Sequence, residues 1–344
     1  MDWIAEAQSG NPRAIARLIT QVERGAAEAQ TIVRALYAAT GRAHIVGVTG
    51  PPGSGKSSLV NELTKVFRQS GRRVGIVAVD PSSPFTGGAL LGDRVRMRDL
   101  SGDEGIFVRS MASRGSLGGL ARGVSAAVKV LDAAGYDLIL IETVGAGQAE
   151  VDIAGAAHTV IVLEAPGMGD DVQSIKAGIL EIADILVVNK ADLLGANRTM
   201  KSLEMMLHLG LAAAGDSDHH APAPDGHADP PAGRWAVPVL PTIATTGQGI
   251  EQLAATVRQH GDYLRASGDW AARERTRSRG EIERLLRDRF IDRLAAVVPS
   301  EERAALIAAV AERRLDPYPA ADHLFAGVSA ALSEAAPAAG SAGA

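Results

Sequence analysis

The run Gly50-Pro51-Pro52-Gly53-Ser54-Gly55-Lys56-Ser57 constrains this chain more than any other feature. It follows a short β-branched run, Ile45 to Thr49, and opens a stretch of helical pattern, Ser57 to Gln69. Glycines at those positions let the backbone curl so that successive N–H groups point at phosphate oxygens, and the helix N-terminus adds partial positive charge. In such a loop Lys56 is expected to reach the β- and γ-phosphates and the Ser57 hydroxyl to ligate magnesium. Gly50, Gly53, Ser54, Gly55 and Ser58 are expected to complete the cradle. The competing reading, an ordinary Gly/Pro turn ahead of a helix, does not account for the strand–loop–helix context.

From His44 onward, apolar β-branched runs alternate with amphipathic stretches. The runs are 45–49, Val74 to Val79, Ile106 to Val108, Leu138 to Ile141, Thr159 to Leu163, Ile185 to Val188 and Val237 to Leu240. Helical patterns such as Leu117 to Ala134 lie between most of them. Continuous apolar strands alternating with helices predict an α/β fold with a mostly parallel central sheet covered on both faces. Before it, residues 1–43 predict a helical cap, with Ile15, Leu18, Ile19 and Val22 on one face and Ile32, Val33, Leu36 and Tyr37 on another. The core is expected over 44–267, interrupted by an exposed insertion at 214–235 rich in Pro, Gly, Asp and His. A helical arm follows at 268–334, with an apolar stripe through Ile282, Leu285, Leu286, Phe290, Ile291 and Leu294, and the last residues, 335–344, read as disordered.

A second motif falls at the end of the 185–188 run: Asn189-Lys190-Ala191-Asp192. Ligands of open α/β sheets sit at the C-terminal ends of strands. Guanine presents N1–H and a 2-amino group, and the Asp192 carboxylate accepts from both. Adenine offers an acceptor at N1 and no 2-amino group, so a site built on that pairing rejects it by roughly 10⁴-fold. Lys190 is expected along the base, Asn189 to hold loop and base, and Thr245, in Thr245-Thr246-Gly247, to close the pocket through its backbone. The run 138–141 delivers Glu142-Thr143-Val144-Gly145, an acid placed to act on Mg²⁺ and a glycine whose N–H can approach the γ-phosphate. Asp80 and Asp93 are further candidates near the metal; the alternatives are a turn cap at 81–83 for Asp80 and an ion pair with Arg94 or Arg96 for Asp93. Several carboxylates held together need a cation.

By its motifs the chain resembles the MeaB/ArgK-type GTPases. The matching stretches are GVTGPPGSGKSSL (47–59), VAVDPSSPFTGGALLGDRVRM (77–97), VRSMASRGSLGGLA (108–121), IETVGAGQAEVDIA (141–154), the segment 166–185 and VVNKADL (187–193). The resemblance implies a GTPase working with GTP/GDP and Mg²⁺, in which Asp80, Asp93 and Glu142 surround the metal and reacting phosphate. It also implies a mobile switch over 166–176, with Lys176 as its basic residue near the nucleotide. The helical arm is implied to make a homodimer. The implied partner is an adenosylcobalamin-dependent acyl-CoA mutase, whose cofactor loading and protection GTP would gate; contact with the adenosyltransferase that makes the cofactor stays open. Thr245-Thr246 departs from the family's common Ser-Ala pair, and the 214–235 insertion is longer than expected.

Two rival functions share parts of this pattern. A nickel-delivery GTPase is suggested by His219, His220 and His227, since imidazole suits nickel, but metal motifs of that kind usually carry Cys and this chain has none. A P-loop kinase for a small metabolite has no use for Asn189-Lys190-x-Asp192. Zero cysteines also exclude disulfides and thiol chemistry. A net charge of -5 gives no reason to expect nucleic acid or an anionic membrane as partner. With no secretory signal pattern and no apolar run of about 18 residues, a cytoplasmic location is expected.

Overall fold

The structure, a computed structural model, describes residues 2–24, 26–80, 98–100, 102–112, 122–143, 153–167, 180–215 and 234–335. Contacts divide the chain into two compact units, 1–274 and 275–344.

Among the described residues the first unit is built on a seven-stranded sheet. Its strands are β1 (His44–Thr49), β2 (Val74–Asp80), β3 (Ile106–Ala112), β4 (Leu138–Thr143), β5 (Thr159–Glu164), β6 (Ile185–Asn189) and β7 (Val239–Thr242). The order is β3-β2-β4-β1-β5-β6-β7, and every neighbouring pair is parallel. β1, β4, β5 and β6 are buried at every position. That is why their sequences read as unbroken apolar runs: both faces of each strand are covered, so alternation has no purpose.

Alternate residues feed two cores. On one face Ile45, Val77, Ile139, Ile141, Val160 and Leu186 pack under the helices α1 (Trp3–Gln8), α2 (Pro12–Arg24) and α3 (Ala26–Leu36) and under α5 (Arg122–Ala133). On the other, Val46, Val48, Ile76, Leu140, Ile161 and Val187 meet α4 (Lys56–Gln69) and α7 (Ile250–Ser267). The helix α6 (Ala196–Gly215) contributes Leu203 to the first core. Ile15, Leu18, Ile19, Val22, Ile32 and Leu36 are all buried, so the amphipathic stripes of α2 and α3 face inward, against α5 and one another. Tyr37 does not join them. It is 58% exposed, because the chain tightens into a 3-10 turn at Tyr37–Ala39 and rotates the ring away from the stripe.

The second unit is helical, formed by the continuation of α8 (Asp269–Val297), α9 (Ser300–Ala311) and α10 (Pro317–Ala335). Phe290 and Phe325 stack at 5.7 Å, and Val298, Ala320 and Val328 are buried there. Ile282, Leu286 and Ile291 remain 54–61% exposed.

Candidate functional site

β1 is the point at which the chain's excursions reverse direction: β4 and β2 lie on one side of it, β5 and β6 on the other. The crevice beyond its C-terminal end is where a parallel sheet receives a ligand, and the phosphate loop occupies that end. Gly50 has φ 141°, and a Cβ there would stand 2.2 Å from the Leu163 carbonyl oxygen of β5. Gly55 has φ 94°, and a Cβ there would stand 2.3 Å from Asn189 Nδ2. Only glycine fits either position, for conformation and for space together. The loop closes around its own lysine, whose Nζ donates to the carbonyls of Gly50 (2.8 Å) and Pro51 (2.9 Å), and the side chain is buried. Ser54 is fully buried, and its Oγ has no hydrogen-bond partner among the described residues. A buried hydroxyl left without a partner inside the phosphate loop suits an oxygen-rich ligand.

Glu142 arrives from the adjacent strand, β1 and β4 being paired at Val48 and Glu142. Its Oε1 accepts a 2.6 Å hydrogen bond from Ser57 Oγ, and both residues are buried. Two hard oxygen donors are thus joined at the mouth of the phosphate loop. Asp80 ends β2, next to β4, but only its backbone is described. Asp93, Gly145 and Lys176 lie outside the described residues, as does most of the stretch assigned to a switch and the three histidines His219, His220 and His227.

The Asn-Lys-x-Asp loop ends β6, two strands from β1. Asn189 is 2% exposed and its amide is used on every side: Nδ2 donates to the Ser54 carbonyl (2.8 Å), while Oδ1 accepts from Thr242 Oγ1 (3.1 Å) and the Ala244 N–H (3.1 Å). One side chain therefore joins the phosphate loop, the end of β6 and the end of β7. Lys190 follows at φ 56°, a left-handed conformation rare for a residue with a side chain, and it turns the loop so that Ala191 N–H reaches the Thr242 carbonyl (3.0 Å). Asp192 is exposed, which leaves its carboxylate open to a base. Thr245 and Thr246 are exposed in a turn closed by the Ile243–Gln248 bridge, directly after the Ala244 that bonds Asn189. Thr242 and Ala244, missed from the sequence, carried no signal there: each acts through proximity across two strands.

Also missed was a polar network at the other end of the same strands. His44 Nε2 lies 2.7 Å from Thr159 Oγ1, which lies 2.8 Å from His260 Nδ1; His260 Nε2 stands 3.4 Å from Asp184, which holds Arg273 through two bonds of 2.7 Å. Trp235 donates from Nε1 to the Asp184 carbonyl (2.8 Å) and is half-buried, so the expected exposed insertion ends before it. At its other boundary α6 continues to Gly215. Burial pushes the His260 imidazole down to about 4, partly opposed by Asp184, and burial together with the neighbouring His158 holds His44 well below its ordinary value. Both imidazoles are therefore neutral at pH 7.

A phosphate loop on the central strand, tied by Asn189 to a guanine-type base loop, defines the class: a P-loop GTPase. The particular family follows from likeness across the chain. The family model described as Methylmalonyl Co-A mutase-associated GTPase MeaB matches residues 15–298, and the chain belongs to that family. A protein of Pyrococcus abyssi named as a GTPase is 46% identical over 324 residues, covering 94% of this chain and 95% of the relative. The mouse protein named Methylmalonic aciduria type A homolog, mitochondrial, is 33% identical over 278 residues, 78% of this chain and 63% of that one. Among solved structures, one titled LAO/AO transport system kinase superposes with a TM-score of 0.67 at 23% identity, over 95% of this chain and 97% of that chain, a likeness of fold. This chain is accordingly a guanine-nucleotide-binding GTPase.

Proposed function

We propose that this GTPase uses GTP binding and hydrolysis to gate adenosylcobalamin loading, and the protection or reactivation, of an adenosylcobalamin-dependent acyl-CoA mutase such as methylmalonyl-CoA mutase. The observation that carries the reading is the family match over residues 15–298, whose description names a mutase-associated GTPase. The mouse relative, named for methylmalonic aciduria, supports it.

In this reading Lys56, Ser57 and the loop N–H groups hold the β- and γ-phosphates, and Asp192 reads the guanine. The joined oxygens of Ser57 and Glu142 suit a magnesium ion, which would neutralise charge developing on the phosphates. Asp80 and Asp93 would complete its surroundings. Water attacks the γ-phosphorus, the bond from it to the β,γ-bridging oxygen breaks, and GDP leaves as phosphate forms, with Glu142, the Gly145 N–H and Lys176 as the residues assigned to that step. No glutamine immediately follows Gly145 to orient the water, so intrinsic turnover is expected to be slow and to rise when a bound mutase orders the segment 166–176. The chain works in the cytoplasm as a homodimer, built on the helical arm of 268–334, without membrane or nucleic acid.

The test measures GTP hydrolysis by the purified chain with and without stoichiometric apo-mutase. A rate increase of about tenfold or more is expected. Equal rates would remove partner gating from the account while leaving the GTPase itself intact.

A further inference from the structure

β1 and β4, buried along their whole length, both end on a threonine: Thr49 is 0% exposed and Thr143 is 1% exposed. Thr143 Oγ1 donates to Thr49 Oγ1 at 2.9 Å. Two buried hydroxyls bonded to each other add little net stability, because a pair of apolar groups of the same shape serves about as well. Stability alone therefore does not account for the pair.

Its place in the sheet is informative. The backbone pairing of β1 with β4 runs to Val48 and Glu142, and the threonine bond is the next link between the two strands, made by side chains. Thr49 is the residue before Gly50, where the phosphate loop begins, and Thr143 is the residue after Glu142. Alternation along the strands puts both threonines on the face of Ile45 and Ile141. Glu142 lies on the opposite face with Leu140, toward α4 and Ser57. The hydroxyls thus stand behind the site and act on it through their neighbours.

An O–H···O bond draws two side chains closer than apolar contact allows. Carbon atoms in contact rest about 3.5–4.0 Å apart, so valines at both positions would part the strand ends by roughly 0.6–1.1 Å relative to the 2.9 Å bond. The root of the phosphate loop cannot take up this movement. It would have to shift toward β5, on the other side of β1, and a Cβ at Gly50 would already stand 2.2 Å from the Leu163 carbonyl oxygen there. The displacement falls instead on the end of β4, which carries Glu142. Magnesium demands near-octahedral oxygen ligands at about 2.0–2.1 Å, with a tolerance of about 0.2 Å, so a shift of that size is large for its surroundings.

We propose that Thr49 and Thr143 are positioning residues for the metal step: their shared hydrogen bond sets the separation between the Glu142 carboxylate and the phosphate loop that carries Ser57. The proposal rests on the reading in which Ser57 and Glu142 serve a magnesium ion. The pair takes no part in gripping the phosphates or the base.

The test is a magnesium titration of the full-length chain loaded with a fluorescent GDP analogue, run beside GTP turnover and thermal melting. The Thr49→Val, Thr143→Val double variant is expected to melt close to wild type and to bind the analogue equally well without magnesium. It should need about tenfold more magnesium for half-saturation, and its kcat should fall about tenfold while KM for GTP changes little. Thr49→Ser with Thr143→Ser, which keeps both hydroxyls, should restore the wild-type values. A role in folding alone would lower the melting temperature and leave the magnesium requirement where it was. A double valine variant with the wild-type magnesium requirement and kcat overturns the proposal. Should that variant fail to fold, Thr143→Ala, which adds no bulk and frees the end of β4, is judged by the same criterion. Glu142→Gln is measured in parallel. A raised magnesium requirement there, with wild-type behaviour in the threonine variants, rejects the positioning role alone; an unchanged requirement in Glu142→Gln rejects the reading of Glu142 on which that role rests.

Discussion

Asn189 carries more of the site than its place in a base-reading tetrapeptide implies. Both ends of its amide are bonded within the protein, to Ser54, Thr242 and Ala244, so its work is to hold the phosphate loop and the base loop in fixed register. Asn189→Ala would strand these buried partners at about 1–3 kcal/mol for each group left unsatisfied. The expected result is a lower melting temperature together with a loss of about tenfold or more in affinity for a fluorescent GTP analogue; unchanged affinity would show that the two loops hold their places independently. Asp192 is the complementary case, an exposed residue whose carboxylate is expected to find its partner in the base. Asp192→Asn is expected to lose GTP and gain xanthosine triphosphate, measured by competition between the two nucleotides, and an unchanged preference would return the kinase reading to contention. Both loops were legible in the sequence because each is contiguous and its chemistry depends on local backbone form. The clamp between them was not, because Ser54, Asn189 and Ala244 meet only through the strand order β1-β5-β6-β7.

At the scale of elements, β1, β4, β5 and β6 were readable because burial on both faces makes each an unbroken apolar run. β7 was read slightly early, over Val237 to Leu240 rather than Val239–Thr242. Two prolines, Pro238 and Pro241, obscure the run, and β7 tolerates Pro241 because it is an edge strand with one unpaired side. The histidine network joining His44 on β1, Thr159 on β5 and His260 on α7 was illegible, its bonded pairs being 115 and 101 residues apart. It has a measurable consequence. The folded state holds His260 neutral with a value of about 4, whereas the unfolded chain titrates near 6.5. Its contribution is therefore fully present above pH 6.5 and is lost as pH falls from there toward 4. Between pH 7.5 and pH 5 this group alone is expected to cost about 2 kcal/mol of stability, and His44, lowered for the same reason, adds to it. Urea unfolding at the two pH values should show the drop, and a His260→Gln variant, which cannot titrate there, should show a shallower one. Identical pH slopes for wild type and variant would contradict this assignment.

For the molecule as a whole, the nucleotide unit accounts for GTP chemistry, and the helical unit of 275–344 presents apolar side chains to solvent. Ile282 and Leu286, four residues apart, share one face of α8 and are each more than half exposed, a pairing unfavourable for a lone chain in water. If the arm makes a homodimer, Ile282→Asp with Leu286→Asp is expected to halve the mass measured by light scattering while GTP binding persists; an unchanged mass would assign that stripe to something other than self-association. The proposed GTP chemistry requires one pocket that grips a triphosphate at Lys56 while Asp192 recognises the attached purine. A crystal structure with magnesium and a non-hydrolysable GTP analogue tests that claim most directly. Phosphates are expected within the Gly50–Ser57 loop, and guanine N1 and N2 within hydrogen-bond distance of the Asp192 carboxylate; a nucleotide bound elsewhere, or a base turned away from Asp192, would contradict this pocket.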